Sequence, residues 1–227
     1  MLWGWFMFGP SIWVLLPALL LAIYAQWRVR STYRRYARVP VAGGVTARRT
    51  AETLLEGAMI GGVTIEETGR PLSDHYDPRK KVLRLSASDS SSIAAIGVAA
   101  HEAGHAMQHA AGYGPLALRT AIVPVATFGS RLAFPLFFLG IIFQTPVLAT
   151  AGIILFSAAV LFTLVTLPVE FDASRRAVAA LRAGALVSTE ELGAIKEVLI
   201  AAALTYVAAA AMAALQLFLL LSAGRRR

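Results

Sequence analysis

Long apolar stretches alternate with polar segments along the chain. Apolar residues dominate positions 2–27, 121–143, 147–167 and 198–223, and as helices all four are long enough to cross about 30 Å of hydrocarbon. The first stretch lacks the charged start and the small-residue cleavage site of a signal peptide, so we expect an uncleaved anchor. The pattern therefore predicts a polytopic membrane protein with about four transmembrane helices.

The polar segments carry shorter periodicities. These predict a helix at residues 47–58 capped by Thr46, strands at 63–66 and 81–85, a turn at 74–78 and a helix at 93–111. Pro168 opens the second polar segment, where a helix is expected from Glu170 to about residue 183. A small region with a strand hairpin is therefore expected beside the membrane helices.

Composition and charge support burial in lipid and indicate an orientation. The chain is 57% apolar and only 15% charged, whereas a soluble globule averages roughly a quarter charged. Its net charge is +8, but the largest basic cluster directly follows the first apolar stretch, which is typical of a cytoplasmic flank and argues against a nucleic-acid partner. The positive-inside rule places both polar segments in the cytosol, and membrane lipid is the first expected partner.

Arginines at two places do not fit the prediction of four helices that each cross the membrane fully. Arg131 interrupts the second apolar stretch, so either that helix begins near Leu132 or the arginine faces a polar cavity or snorkels. Three arginines end the chain, so the last apolar run either tolerates them outside or does not cross fully. Four spans remain the prediction.

The sequence HEAGH at residues 101–105 is the strongest chemical signal. Because the chain has no cysteine, a metal would be held by histidines and carboxylates. His101 and His105 are one helical turn apart, so both imidazoles lie on one face and can bind one Zn²⁺ ion. Glu102 lies roughly 100° around the helix, where it can reach zinc-bound water and act as general base. The alternative is a solvated polar face on an alanine-rich helix.

A third ligand has to come from another part of the chain. His109 is on the same stripe, but it lies about 12 Å along the helix axis from His101, so one straight helix cannot bring both to one ion. Glu170 and Asp172 are the candidates, and two crossings would return Glu170 to the side of the histidines. The helix dipole alone also favours a glutamate near a helix start.

Three runs of residues resemble the YugP-like membrane zinc metallopeptidases. They are LSDHYDP at 72–78, AAHEAGHA at 99–106 and LVTLPVEFDASRRA at 164–177. The resemblance implies a metallopeptidase fold with zinc held by the histidine pair and an acidic residue downstream. A more distant similarity to membrane proteases that combine HExxH with a Glu-Phe-x-Ala-Asp-like helix places this ligand on Glu170.

One position departs from those more distant proteases. They carry an aspartate four residues after the glutamate, whereas this chain has Ser174. A carboxylate that orients a histidine ligand would then come from Asp172, Asp74 or Asp77. His75 either stabilises an oxyanion or belongs to a simple turn, and the strand at 81–85 could pair with an extended substrate.

These observations predict a mainly α, polytopic membrane protein with a small α+β, zincin-like metalloprotease core of the gluzincin type. The expected segments are an anchor at 1–27, a cytosolic zincin-like region at 28–115, a transmembrane hairpin at 116–168, a cytosolic helix with the third ligand at 169–197, and a last transmembrane helix with a basic tail at 198–227.

The predicted function is zinc-dependent hydrolysis of peptide bonds, with zinc-bound water as nucleophile and Glu102 as general base. The expected substrate is a membrane protein or peptide near the cytosolic face of a prokaryotic plasma membrane, and a membrane partner protein is compatible with this. An intramembrane protease is disfavoured because no aspartate lies in an apolar stretch. The alternative function is a non-hydrolytic scaffold or metal-binding subunit of a protein quality-control complex, which would not need Glu102.

Overall fold

The structure is a computed structural model that describes residues 3–70 and 72–224, with side chains from residue 13 onwards. Within these ranges the chain is mainly helical and contains one small sheet. The elements in chain order are α1 (Trp3–Tyr36), α2 (Ala47–Gly57), β1 (Thr64–Glu67), β2 (His75–Asp77), β3 (Val82–Leu85), α3 (Ile93–Ala110), α4 (Gly114–Ile142), α5 (Pro146–Ala183) and α6 (Thr189–Gly224).

The chain divides into two compact units. One contains residues up to Gln26, Leu118–Leu167 and the residues from Leu204 onwards, and the other contains Trp27–Ala117 and Pro168–Ala203. Among the described residues, three helices are long and apolar enough to cross a membrane, namely α4, α5 and α6. The predicted first stretch is helical from Trp3, and the count of four crossings stays a prediction.

Glycines let α4 and α5 approach closely in the first unit. A Cβ atom at Gly152 would lie 2.6 Å from the carbonyl oxygen of Ala133 and 2.7 Å from the nitrogen of Phe137. Since real Cβ atoms do not approach backbone atoms so closely, this contact requires glycine. Around it lies an apolar cluster that includes Phe156 and Val160. The pair of helices α4 and α5 is therefore stabilised by close backbone packing and by contacts between apolar side chains.

In the second unit, α3 packs against α2 and against the strands β2 and β3. Thr46 caps α2 by accepting a hydrogen bond from the Arg49 N–H, and Ser92 caps α3 in the same way through Ala95. The largest fully buried apolar side chains come from β3, α3, α5 and α6: Leu83, Leu85, Ile96, Val169, Leu181 and Ile195. α3 therefore lies in a core formed by segments that are far apart in the sequence.

The sheet differs from the prediction. Residues 75–77, expected in a turn, form β2, and the turn begins only after Asp77, whose side chain accepts hydrogen bonds from the N–H groups of Arg79 and Lys80. The sheet order in the described chain is β1-β3-β2, with β1 parallel and β2 antiparallel to β3. The hairpin is thus β2–β3, and because both edges of β3 are paired, the proposed pairing of a substrate with this strand is wrong.

Two helices also run further than the sequence indicated. α5 continues through Pro168, which was expected to start a new helix, so Glu170 lies inside a helix and not at its N-terminus. Val169, Ala173 and Ala177 follow at helical spacing and are fully buried, so tertiary packing outweighs the hydrogen bond that proline removes. α4 begins at Gly114, so a start near Leu132 is also wrong.

Candidate metal centre

α3 presents the two histidines of the HEAGH motif on one face. The imidazole rings of His101 and His105 meet edge to face, with centroids 4.7 Å apart. His105 is buried, and His101 keeps a small exposed fraction. Their four-residue spacing on a regular helix produces this convergence.

Glu170 completes the cluster from α5. Its Oε2 atom lies 3.2 Å from Nε2 of His101, and its Oε1 atom lies 3.7 Å from Nε2 of His105. Only 2% of Glu170 is exposed, so its charge is compensated by groups inside the protein. One donor atom from each of the three residues falls within 4.8 Å of the others.

Gly104 explains how α3 and α5 come close enough for this contact. A Cβ atom at this position would clash with the backbone carbonyl of Ala173, well inside van der Waals contact. Ala173 follows Glu170 by one helical turn, so the glycine inside the motif sets the distance between the histidine helix and the glutamate helix.

The other nitrogen of each imidazole is also engaged. Nδ1 of His101 lies 3.1 Å from the hydroxyl of Ser174, and Nδ1 of His105 lies 3.0 Å from Oε1 of Gln108. Contacts at Nδ1 fix the orientation of each ring and turn Nε2 towards Glu170. Ser174 therefore contacts a histidine from the position where the more distant proteases carry aspartate.

The cluster is electrostatically negative around the imidazoles. Burial alone would lower the pKa of His105, but the hydrogen bond to Glu170 and the charges of Glu102 and Glu170 raise it above its ordinary value. Glu102 is itself buried, with 7% of its surface exposed. Anionic groups that favour a cationic imidazole also favour a divalent cation at the same place.

The donor set fits zinc. Two imidazole nitrogens and one carboxylate form a known set of ligands for catalytic zinc, which keeps a further position for water or substrate. Ligands about 2.1 Å from a tetrahedral ion are about 3.4 Å from one another. The separations of 3.2 and 3.7 Å between the Glu170 oxygens and the histidine nitrogens agree with this value.

Other sequence candidates lie outside this cluster. Nδ1 of His109 lies 2.9 Å from the hydroxyl of Tyr76, whose pKa burial raises. His75 is exposed on the neighbouring position of β2, and its Nε2 lies 3.1 Å from Nη1 of Arg84. Since side chains alternate along a strand, Tyr76 and His75 point to opposite faces of the sheet.

The three aspartates have separate partners. Asp74 accepts hydrogen bonds from the N–H and the hydroxyl of Ser86, and Asp77 caps the turn before β3. Asp172 accepts a hydrogen bond from Nε2 of Gln108. Asp172 therefore contacts a residue that in turn contacts His105.

The sequence analysis did not predict that two residues, Gln108 and Ser174, contact the histidines. Gln108 is fully buried, and it lies one turn after His105 on a helix that packs against the core. Ser174 follows Glu170 by four residues, on the same face of α5. Helical spacing from a ligand was the available signal in both cases.

Comparisons with known proteins agree with the resemblance found in the sequence. The family described as "Putative neutral zinc metallopeptidase" matches residues 11–224. The chain is 43% identical over 208 residues to "Putative membrane protease YugP" from Bacillus subtilis (strain 168), covering 91% of this chain and 92% of that protein. No solved structure matches the chain. The chain belongs to this zinc metallopeptidase family, and the expected YugP-like relationship is confirmed.

The family and the helices together give the class of protein. The description of the family and the name of the relative support a zinc-dependent protease, and the apolar helices α4, α5 and α6 support association with a membrane.

Proposed function

We propose that this protein is a membrane-embedded metallopeptidase that hydrolyses peptide bonds of membrane proteins or peptides near the cytosolic face of a prokaryotic plasma membrane. The observation that carries the proposal is the cluster of His101, His105 and Glu170, largely buried and directly beside Glu102. The basic residues that flank the apolar stretches support the cytosolic side.

Zinc would be held by Nε2 of His101, Nε2 of His105 and the carboxylate of Glu170. When bound, it supplies a Lewis acid that polarises the scissile carbonyl and makes water nucleophilic near neutral pH. Ser174 and Gln108 hold the two imidazoles in orientation through their Nδ1 atoms.

Glu102 moves the proton of the reaction. Its carboxylate accepts a proton from the water as the oxygen attacks the peptide carbon, and it donates this proton to the amide nitrogen as the C–N bond breaks. The low exposure of Glu102 keeps bulk water from competing for the proton. Replacing it with glutamine removes the base and preserves the size of the side chain.

The test compares wild type with Glu102→Gln in cells that otherwise lack the protein. We expect each purified protein to hold about one zinc per chain, and only wild type to generate new peptide termini in membrane proteins. Glu56→Gln is a matched control, because Glu56 is exposed on α2. Cleavage by Glu102→Gln at the wild-type rate would contradict the mechanism.

The same experiment separates the alternative function. A non-hydrolytic, metal-binding subunit of a quality-control complex would hold zinc in both variants and generate no new termini in either. The burial of Glu102 beside the cluster favours the peptidase, because a purely structural site gains nothing from an additional buried acid.

A further inference from the structure

Gln108 lies at the centre of a buried chain of hydrogen bonds that ends on His105. Its side chain has no exposed surface. Nε2 donates to the carbonyl oxygen of Val169 at 2.8 Å and to Oδ2 of Asp172 at 2.9 Å, and Oε1 lies 3.0 Å from Nδ1 of His105. Every polar atom of the amide therefore has a partner.

These contacts determine which way the amide points. In the reverse orientation Oε1 would face two oxygen atoms, the carbonyl of Val169 and the carboxylate of Asp172, without a hydrogen between them. Both contacts would be repulsive, and repulsion between polar atoms is costly at a fully buried side chain. The oxygen of Gln108 is therefore the atom that faces His105.

An amide oxygen can only accept a hydrogen bond, so Nδ1 of His105 has to donate. A neutral imidazole that carries its proton on Nδ1 has its lone pair on Nε2, which is the nitrogen 3.7 Å from Oε1 of Glu170. Gln108 thus selects the tautomer in which His105 can be a metal ligand through Nε2.

Asp172 holds the amide in this orientation. It is 4% exposed, and its carboxylate is bound by Arg175 and, at 2.6 Å, by Nε of Arg176. These cations compensate the buried charge of the carboxylate, whose Oδ2 accepts the hydrogen bond from Gln108. The guanidinium of Arg176 also lies over the ring of Tyr113, at 5.7 Å from its centroid, which restricts its movement.

We propose that Gln108 is a positioning residue that fixes the tautomer and orientation of His105 for zinc binding, and that Asp172 holds Gln108 in place from α5. This inference rests on the proposed function for the identity of the metal. It also gives the buried charge of Asp172 a role as a support that acts through Gln108.

The test measures zinc affinity of the detergent-purified full chain by competition with a chelator. Gln108→Met keeps the size of the side chain but removes the acceptor, and we expect about 10–100-fold weaker zinc binding, the usual effect of losing a group that orients a ligand.

Thr50→Val is the matched control. It removes the partly buried hydrogen bond from the hydroxyl of Thr50 to the carbonyl of Thr46, the N-cap residue of α2, away from the cluster. We expect reduced stability with zinc affinity within about twofold of wild type. The visible spectrum of the cobalt(II)-substituted protein should change in Gln108→Met and not in Thr50→Val, because only the former alters the orientation of His105.

The outcomes distinguish the two proposals. If wild type binds zinc and Gln108→Met binds it equally well, the role of Gln108 is wrong and the peptidase proposal stands. If wild type binds no zinc, both fail. Should Gln108→Met not fold, Gln108→Asn carries the same test, because it keeps a buried amide but withdraws it from His105.

Discussion

Two close helix contacts, one in each unit, rely on glycine for different purposes. At Gly152 the missing Cβ lets α5 approach α4, and the neighbours are Ala133 and Phe137. At Gly104 the missing Cβ lets α3 approach the backbone of Ala173 on α5, and the two histidines of the same motif contact Glu170 and Gln108. Apolar packing stabilises the contact at Gly152. The contact at Gly104 instead buries polar groups, which lowers the stability of the fold.

The difference shows what a functional contact between helices requires. Buried polar groups are costly unless each finds a partner, so the contact at Gly104 is surrounded by hydrogen bonds to Ser174, Gln108 and Asp172. No such network is needed at Gly152, where a change of shape affects packing alone. Variants at the two contacts should therefore differ in zinc content more than in stability.

The largest effect is expected for Gly104→Ala. The added Cβ would meet the carbonyl of Ala173, so α3 and α5 must separate and Glu170 must move away from the histidines. We expect purified protein with little or no zinc by elemental analysis. Gly152→Ala, with a similar backbone clash, should lose about 1–3 kcal/mol of stability, while its folded fraction keeps zinc. Equal zinc content in Gly104→Ala and Gly152→Ala would contradict the proposed difference between the two contacts.

Glu170→Ala should come next. It removes one of three proposed ligands, and we expect zinc affinity to fall by more than about 100-fold, beyond the usual effect of losing a group that only orients a ligand. Chelator competition measures this loss. If the zinc affinity of Glu170→Ala is unchanged, Glu170 is not the third ligand, and Asp172 is the next candidate.

Ser174→Ala should have a moderate effect. The hydroxyl contacts Nδ1 of His101, so its removal frees the ring without removing a ligand. We expect about tenfold weaker zinc binding. Thr53→Ala is the control, because it removes a hydroxyl that bonds only to the backbone carbonyl of Arg49 in α2. If both variants bind zinc equally, Ser174 does not orient His101.

The smallest effect is expected for His75→Ala. His75 is exposed and lies against Arg84 on the sheet, outside the cluster. Surface substitutions of this kind change free energies by about 0.5 kcal/mol or less, so zinc affinity and cleavage should stay within about twofold of wild type. A large loss of cleavage with zinc retained would restore the oxyanion role that the sequence suggested for His75.

The HEAGH motif was enough to predict the histidine pair of the candidate metal centre, because two histidines four residues apart on a helix lie on one face. Glu170 was reached through family resemblance, and its position inside a long helix was missed because Pro168 suggested a helix start. Local propensity could not reveal that the buried residues after Pro168 keep the helix intact.

The sheet and the supporting hydrogen bonds were harder to anticipate. Polar residues at 74–78 favour a turn locally, and only pairing with β3 makes 75–77 a strand. Gln108 and Ser174 gain their roles from contacts between α3 and α5, which are 61 or more residues apart in sequence. Such contacts depend on the packed structure and leave little trace in a single sequence.

The most direct test of the account locates the zinc itself. We would measure anomalous scattering at the zinc edge from crystals of the zinc-loaded Glu102→Gln protein, which should remain uncleaved. The expected result is one peak within bonding distance of Nε2 of His101, Nε2 of His105 and the carboxylate of Glu170. A peak at His75, His109 or Asp172, or no peak near the HEAGH helix, would contradict the proposed centre.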